Sequence, residues 1–200
     1  MLKPFFLQKG VSLIELMIGL IVAAILLAMG VPTFSTFIQN SKIRNTADSL
    51  QNGLSLARAE AVKRNANVQF VLGANTAWQV GCETATAACP ASIQAYSGTE
   101  SGANAEVATV ENTAGTNTEV GTVVFTDTLA FNGLGGVTNA TLSPGSDAVF
   151  DITNPTGGIC AADDEDGTMR CLRVLVTQGG QIRMCDPALT ISKPGDPQAC

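Results

Sequence analysis

The sequence predicts an α+β fold: a long N-terminal helix, membrane-spanning in its first half, packed on an antiparallel β-sheet or β-sandwich domain. Three observations predict it: an uninterrupted apolar run from Leu16 to Val31, a helical stripe that follows it, and short β-type runs from Asn67 onward. With 200 residues, 46% of them hydrophobic, the chain can bury one substantial core. The expected organisation is a leader over 1–10, an apolar helix over 11–32, its amphipathic continuation over 33–65 and a β-rich domain over 66–200.

Lys3 and Lys9 precede the apolar run. Counted from Val11, with Ser12 and Glu15 tolerated, the run extends to about 21 residues, which as a helix spans roughly 30 Å, the thickness of a bilayer's hydrocarbon core. This is a membrane segment or a signal sequence. An ordinary secretory signal peptide would use Lys3 and Lys9 as its basic region and "AMG", Ala28 to Gly30, as a cleavage site. It leaves Glu15 unexplained, because a lone carboxylate in hydrocarbon costs several kcal/mol.

After Pro32 the composition turns amphipathic. Ile43, Ala47, Leu50, Leu54, Ala57 and Ala61 recur at steps of four and three, which aligns them on one face of a helix from about Ser35 to Arg64. Pro32 removes a backbone donor and Gly30 loosens the preceding turn, so a kink or weak point is expected there. The alternative is a plain linker between membrane and domain.

The β-type runs begin with "VQFVL" (Val68 to Leu72) and "AWQVGC" (Ala77 to Cys82), a hairpin across "GANT". Further candidates are "GTVVFT" (Gly121 to Thr126), "LAFNG" (Leu129 to Gly133) and "AVFDIT" (Ala148 to Thr153). The clearest hairpin joins "CLRVLVT" (Cys171 to Thr177) to "QIRMC" (Gln181 to Cys185) through "QGG". Ser97 to Thr122, rich in Ser, Gly, Thr, Asn and Ala, reads as long loops with at most one edge strand.

Six cysteines all lie beyond the apolar segment, and the chain has no histidine. An even count behind an export signal favours disulfides and an oxidising compartment over metal ligation, and no C-x-x-C occurs. Of about 15 possible pairings, the sequential one closes three short loops and is the expected one: Cys82–Cys89, Cys160–Cys171 and Cys185–Cys200. Without histidine, Ser/His/Asp and Cys/His catalysis are excluded. There is no Walker loop and no G-x-G-x-x-G after a strand, so neither an enzyme nor a cofactor is expected.

Charge constrains partners. No basic residue lies between Arg64 and Arg170, a stretch that carries twelve acidic residues and should repel nucleic acid. Its run "DDEDG" offers Asp163, Asp164 and Asp166 to a calcium ion, but Ala162 and Arg173 stand where an EF-hand loop needs its first and last ligands. A solvated turn between Cys160 and Cys171 is the simpler reading. Arg170, Arg173, Arg183 and Lys193 near the C-terminus form a small basic set, enough only for a weak, salt-sensitive phosphate contact. Pairing with the acidic surface accounts for them as well.

The most specific motif is the N-terminal one. A short leader with Lys9 and Gly10, followed directly by "VSLIEL" and an apolar helix, resembles the class III signal of type IV prepilins and type II secretion pseudopilins. The resemblance implies cleavage between Gly10 and Val11 by a prepilin peptidase at the inner membrane, and N-methylation of Val11, which stands where family members more often have phenylalanine. It implies that Glu15, at the fifth mature position, pairs with the N-terminal amine of a neighbouring subunit. It also places Gly30 and Pro32 in the segment that melts as subunits enter a filament.

"LARAEAVKRN" (Leu56 to Asn65), "LAFNGLG" (Leu129 to Gly135), "RVLVTQGGQIRMCDP" (Arg173 to Pro187) and "DPQAC" (Asp196 to Cys200) resemble the FimT/FimU group of minor pilins, related to the GspH pseudopilin. That resemblance implies a type IV pilin-like fold and a single-pass inner-membrane protein with a periplasmic domain, later incorporated in the pilus. It further implies assembly with other minor and major pilins, at the filament tip, where the complex primes polymerisation. DNA-binding members of the FimT type carry G-R-x-R in the late hairpin. Here Gly180, Gln181, Ile182 and Arg183 replace the first arginine with an uncharged side chain, which tilts the expectation away from DNA contact by Arg183, Arg173 and Lys193. A type II secretion pseudopilin of the GspH kind is the remaining alternative.

Overall fold

A computed structural model describes residues 10–98, 104–113, 127–138, 142, 145–162, 167–193 and 195–200, with the side chains of 28–33, 112–113 and 190–191 outside the description. The chain forms two compact units, Met1–Phe37 and Ile38–Cys200. The helix α1 (Leu13–Arg64) contributes to both.

In the first unit α1 is apolar all round. Leu13, Ile14, Leu16, Met17, Ile18 and Leu20 are all exposed, as are Phe34 and Phe37 further along. Among the described residues no helix is long and apolar enough to cross a membrane. The apolar run continues into 28–33, whose side chains lie outside them. Helix is assigned through Gly30 and Pro32; the kink expected there remains a proposal.

In the second unit the helical stripe read from the sequence faces the core: Ile43, Ala47, Leu50, Leu54, Ala57 and Ala61 are all fully buried. Among the described residues they pack with two four-stranded antiparallel sheets. The first has the order β3-β2-β1-β5, built from β1 (Val68–Leu72), β2 (Trp78–Cys82), β3 (Gln94–Tyr96) and β5 (Thr128–Phe131). The second has the order β4-β6-β7-β8, built from β4 (Glu106–Thr113), β6 (Ser146–Thr153), β7 (Leu172–Val176) and β8 (Ile182–Cys185). The expected antiparallel layers on a helix are present.

Alternation sets which residues point inward. Val68, Phe70 and Leu72 of β1 and Ala148, Phe150 and Ile152 of β6 enter the shared core, where the rings of Phe70 and Phe150 meet edge to face at 6.0 Å. Gly53 lets α1 approach closely, since a Cβ there would press on the rings of Phe70 and Trp78. The indole Nε1 of Trp78 donates to Ser49 Oγ at 3.0 Å, which satisfies the polar edge of a buried ring. The other face of the second sheet holds a smaller cluster of Val149, Leu175 and Cys185.

Both expected hairpins form, with Leu72 opposite Trp78 and Val176 opposite Ile182. The candidate strand from Gly121 to Thr126 and the acidic run with Asp163, Asp164 and Asp166 lie outside the described residues. The Ser97 to Thr122 stretch contains β4, an edge strand eight residues long. A short helix, α2 (Pro187–Ser192), which the sequence reading did not anticipate, follows β8. Asp186 caps it by accepting from the Ala188 N–H, and Pro187 occupies the first turn, where its missing donor costs nothing.

Candidate functional site

The first candidate is the start of α1. Gly10, Val11 and Ser12 are extended or irregular and exposed, and the helix begins at Leu13, with the Leu16 N–H donating to the Ser12 carbonyl at 3.1 Å. Glu15 therefore sits in the first turn, where the unpaired N–H groups of a helix favour a negative charge. The pattern Ser12-x-x-Glu15 is also that of a capping box, a sequence signal for a helix start. Gly10 and Val11 lie in accessible backbone just ahead of it, the condition a peptidase needs.

Arg170, Arg173 and Arg183 are engaged within the domain. Arg173 makes a two-pronged ion pair with Asp151 at 2.6 and 2.8 Å, directly across the β6–β7 ladder, and both side chains are largely covered. Arg170 Nε donates to Asp186 at 2.5 Å, and its Nη2 donates to Gln198 Oε1 at 3.4 Å. Arg183 donates to the Cys200 carbonyl at 2.8 Å. Burial pushes the nearby Asp147 carboxyl above its ordinary range, against a backbone hydrogen bond from Gln178 and the charge of Arg183. Lys193 is exposed at the end of α2. Arg173, Arg183 and Lys193 are thus not gathered into one free cationic surface.

The cysteines pair as Cys82–Cys89, Cys160–Cys171 and Cys185–Cys200, across separations of 7, 11 and 15 residues. Around the second bridge, two side chains of α1 bond the domain, one on the segment that leads into the bridge and one on the loop it closes. Asn154 donates to Gln39 at 2.8 Å, and the Arg170 N–H donates to Asn40 Oδ1 at 2.8 Å. The third ties the C-terminus to β8. Among the described residues no group of His, Cys, Asp or Glu is placed to hold a metal ion.

Three motifs far apart in the sequence meet at one corner of the domain. Arg58 Nε donates to the Gly135 carbonyl at 3.1 Å, and Gly133 packs on Asn65. Gly180 lies so close to Gly135 that a Cβ would overlap its carbonyl oxygen, and its φ of 77° also favours glycine. The glycine of the late hairpin is accounted for by this packing, whatever its neighbours do.

The family model described as type II transport protein GspH matches residues 46–188, and that of the prokaryotic N-terminal methylation motif matches residues 6–31. The chain belongs to the GspH family. Three solved structures are similar to it in fold. The type IV minor pilin FimU of Pseudomonas aeruginosa PAO1 in one crystal form is 18% identical, covering 74% of this chain and 91% of that one, with a TM-score of 0.46. A second crystal form of FimU is 17% identical, covering 70% and 90%, with a TM-score of 0.43. The minor pseudopilin EpsH of the Vibrio cholerae type 2 secretion system is 15% identical, covering 74% and 98%, with a TM-score of 0.44. No curated protein matches the sequence.

As a GspH-family chain with an N-terminal methylation motif, it is a type IV minor pilin or a GspH-like pseudopilin, a membrane-anchored subunit that assembles with other pilins. That motif match covers Gly10, Val11 and Glu15 together. The interlocking of Arg58, Gly135 and Gly180 was missed by the sequence reading, although each glycine stood inside a quoted motif. Only contact in space shows that they form one unit.

Proposed function

We propose that the chain is a structural minor pilin that takes part in type IV pilus assembly, in a tip or initiation complex with other minor pilins. A prepilin peptidase cuts between Gly10 and Val11, Val11 is methylated, and Glu15 pairs with the new amine of a neighbouring subunit. Gly30 and Pro32 give the helix a place to bend or melt on entry. One observation carries the reading: a carboxylate in the first turn of a helix whose apolar side chains from Leu13 to Leu27 are exposed on every side. Such a surface needs lipid or other helices to cover it, and an ammonium beside Glu15 relieves the cost of its charge.

Crosslinking and co-purification of the native protein test this. Other minor pilins should be recovered with it, and deletion of its gene should reduce surface piliation. Normal piliation after deletion, with no other minor pilin compensating, contradicts the reading. The match to a family described by type II transport favours one second reading, a secretion pseudopilin. In that case secretion, not piliation, fails on deletion. Binding of DNA finds little support, with Arg170 and Arg173 held by carboxylates and Gln181 in place of arginine.

A further inference from the structure

A lone exposed leucine is ordinary on a protein surface. Leu134 differs in how it is held. It is 91% exposed at the tip of a turn fixed from several sides. Asn132 Oδ1 accepts from the N–H groups of Leu134 and Gly136 at 2.9 and 3.0 Å, and the Asn132 N–H donates to the Gly136 carbonyl at 2.8 Å. The Gly135 carbonyl takes the bond from Arg58, and the Val137 N–H donates to the Gln178 carbonyl at 2.9 Å. Gly135 itself, at a φ of 83°, rests against Val62 and Arg58 of α1. The whole arrangement presents one apolar side chain to solvent on a backbone with little freedom left to lose on binding, which is what preorganisation means energetically.

Beside the turn runs a shallow groove of about 530 Å³ lined by Ser55, Arg58, Ala59, Val62, Lys63 and Ile182. Val62, 51% exposed, belongs to both the groove and the wall under Gly135. The margin is cationic. Arg58 and Lys63 line it, Lys63 also pairing with Glu60, and its lining carries no carboxylate, in a chain whose net charge is −6. An apolar centre with a charged rim is the anatomy of a protein–protein contact. An isologous pair of copies would set this rim against itself, cation on cation, so the charge selects a different chain with carboxylates at the matching border.

We propose that Leu134, Val62 and the adjoining groove dock a neighbouring pilin-type subunit through an apolar pocket bordered by acidic side chains. The proposal rests on the assembly reading above, and adds to it the face that one partner uses. Leu134 and Val62 supply the apolar contact, Lys63 and Arg58 the steering charge.

The test uses the full chain expressed in its own cells in place of the native copy. A photo-crosslinking amino acid at position 134 should join the chain to another pilin-type subunit, and mapping should place the joint on a face bearing Asp or Glu. Leu134→Asp should lower co-purified pilin subunits at least tenfold, while the mature chain stays in the membrane and its melting temperature is unchanged. Leu134→Met should retain them, and Lys63→Glu should weaken recovery in a salt-dependent way. Wild-type recovery with Leu134→Asp, or crosslinks only to lipid or to a second copy of this chain, overturns the proposal. Glu15→Ala run in parallel separates the two claims: if it abolishes recovery while Leu134→Asp does not, the docking face fails and the assembly reading stands.

Discussion

The two ends of α1 obey opposite rules. From Leu13 to Leu27 its apolar side chains point in every direction and are exposed; after Ile38 six of them line up on one face and vanish into the core. The second half is stabilised by the chain's own sheets. Among the described residues the first half has no such cover within its own compact unit, and its carboxylate, Glu15, sits in the first turn. One helix therefore serves two environments, and the change between them marks where self-sufficiency ends and assembly begins.

That contrast can be broken by paired substitutions. Leu54→Ala, at a fully buried site, should cost about 2–5 kcal/mol of domain stability, whereas Leu20→Ala, at a 63% exposed one, should leave it unchanged; thermal melts of the full chain in detergent read both. Opening the bridge with Cys160→Ser and Cys171→Ser should cost roughly 2–4 kcal/mol and loosen the loop, whose Arg170 N–H meets Asn40 and whose start follows the Asn154–Gln39 contact. Hydrogen exchange at those positions should rise. Gly180→Ala should cost about 1–3 kcal/mol, because it strains a positive φ and presses on Gly135; urea unfolding of the domain checks it.

The smallest effect concerns pH. Hydrogen bonds from Arg64 first, then Lys63, hold the Glu60 carboxyl below its ordinary value. A depressed carboxylate contributes stability above its unfolded pKa and loses it as pH falls through the folded one. Glu60→Gln should therefore lower the melting temperature slightly at pH 7, with the gap closing in acid below the usual glutamate range. Exposure of Lys63 keeps the gap small.

The contrast also explains what was legible in the sequence. The stripe from Ile43 to Ala61 was readable because burial on one face forces a helical period on apolar residues. The two hairpins were readable because β-branched runs flank short polar turns. β4 was legible only as an edge strand within loops, because two of its inward positions carry Thr109 and Glu111, both buried, which erases the apolar alternation that marks a strand. β3 is three residues long with two of them exposed, too short to carry a period. At the N-terminus the apolar run and Glu15 stood out at once, whereas the corner built by Arg58, Gly135 and Gly180 depends on contacts across most of the chain.

Glu15 carries the central claim, that the first half of α1 is completed by other subunits. The direct measurement is Glu15→Ala in the full chain, followed by membrane fractionation and co-purification with other pilins. The account predicts a variant that reaches the membrane in normal amount and recovers few partners. Recovery of partners at the wild-type level would contradict it.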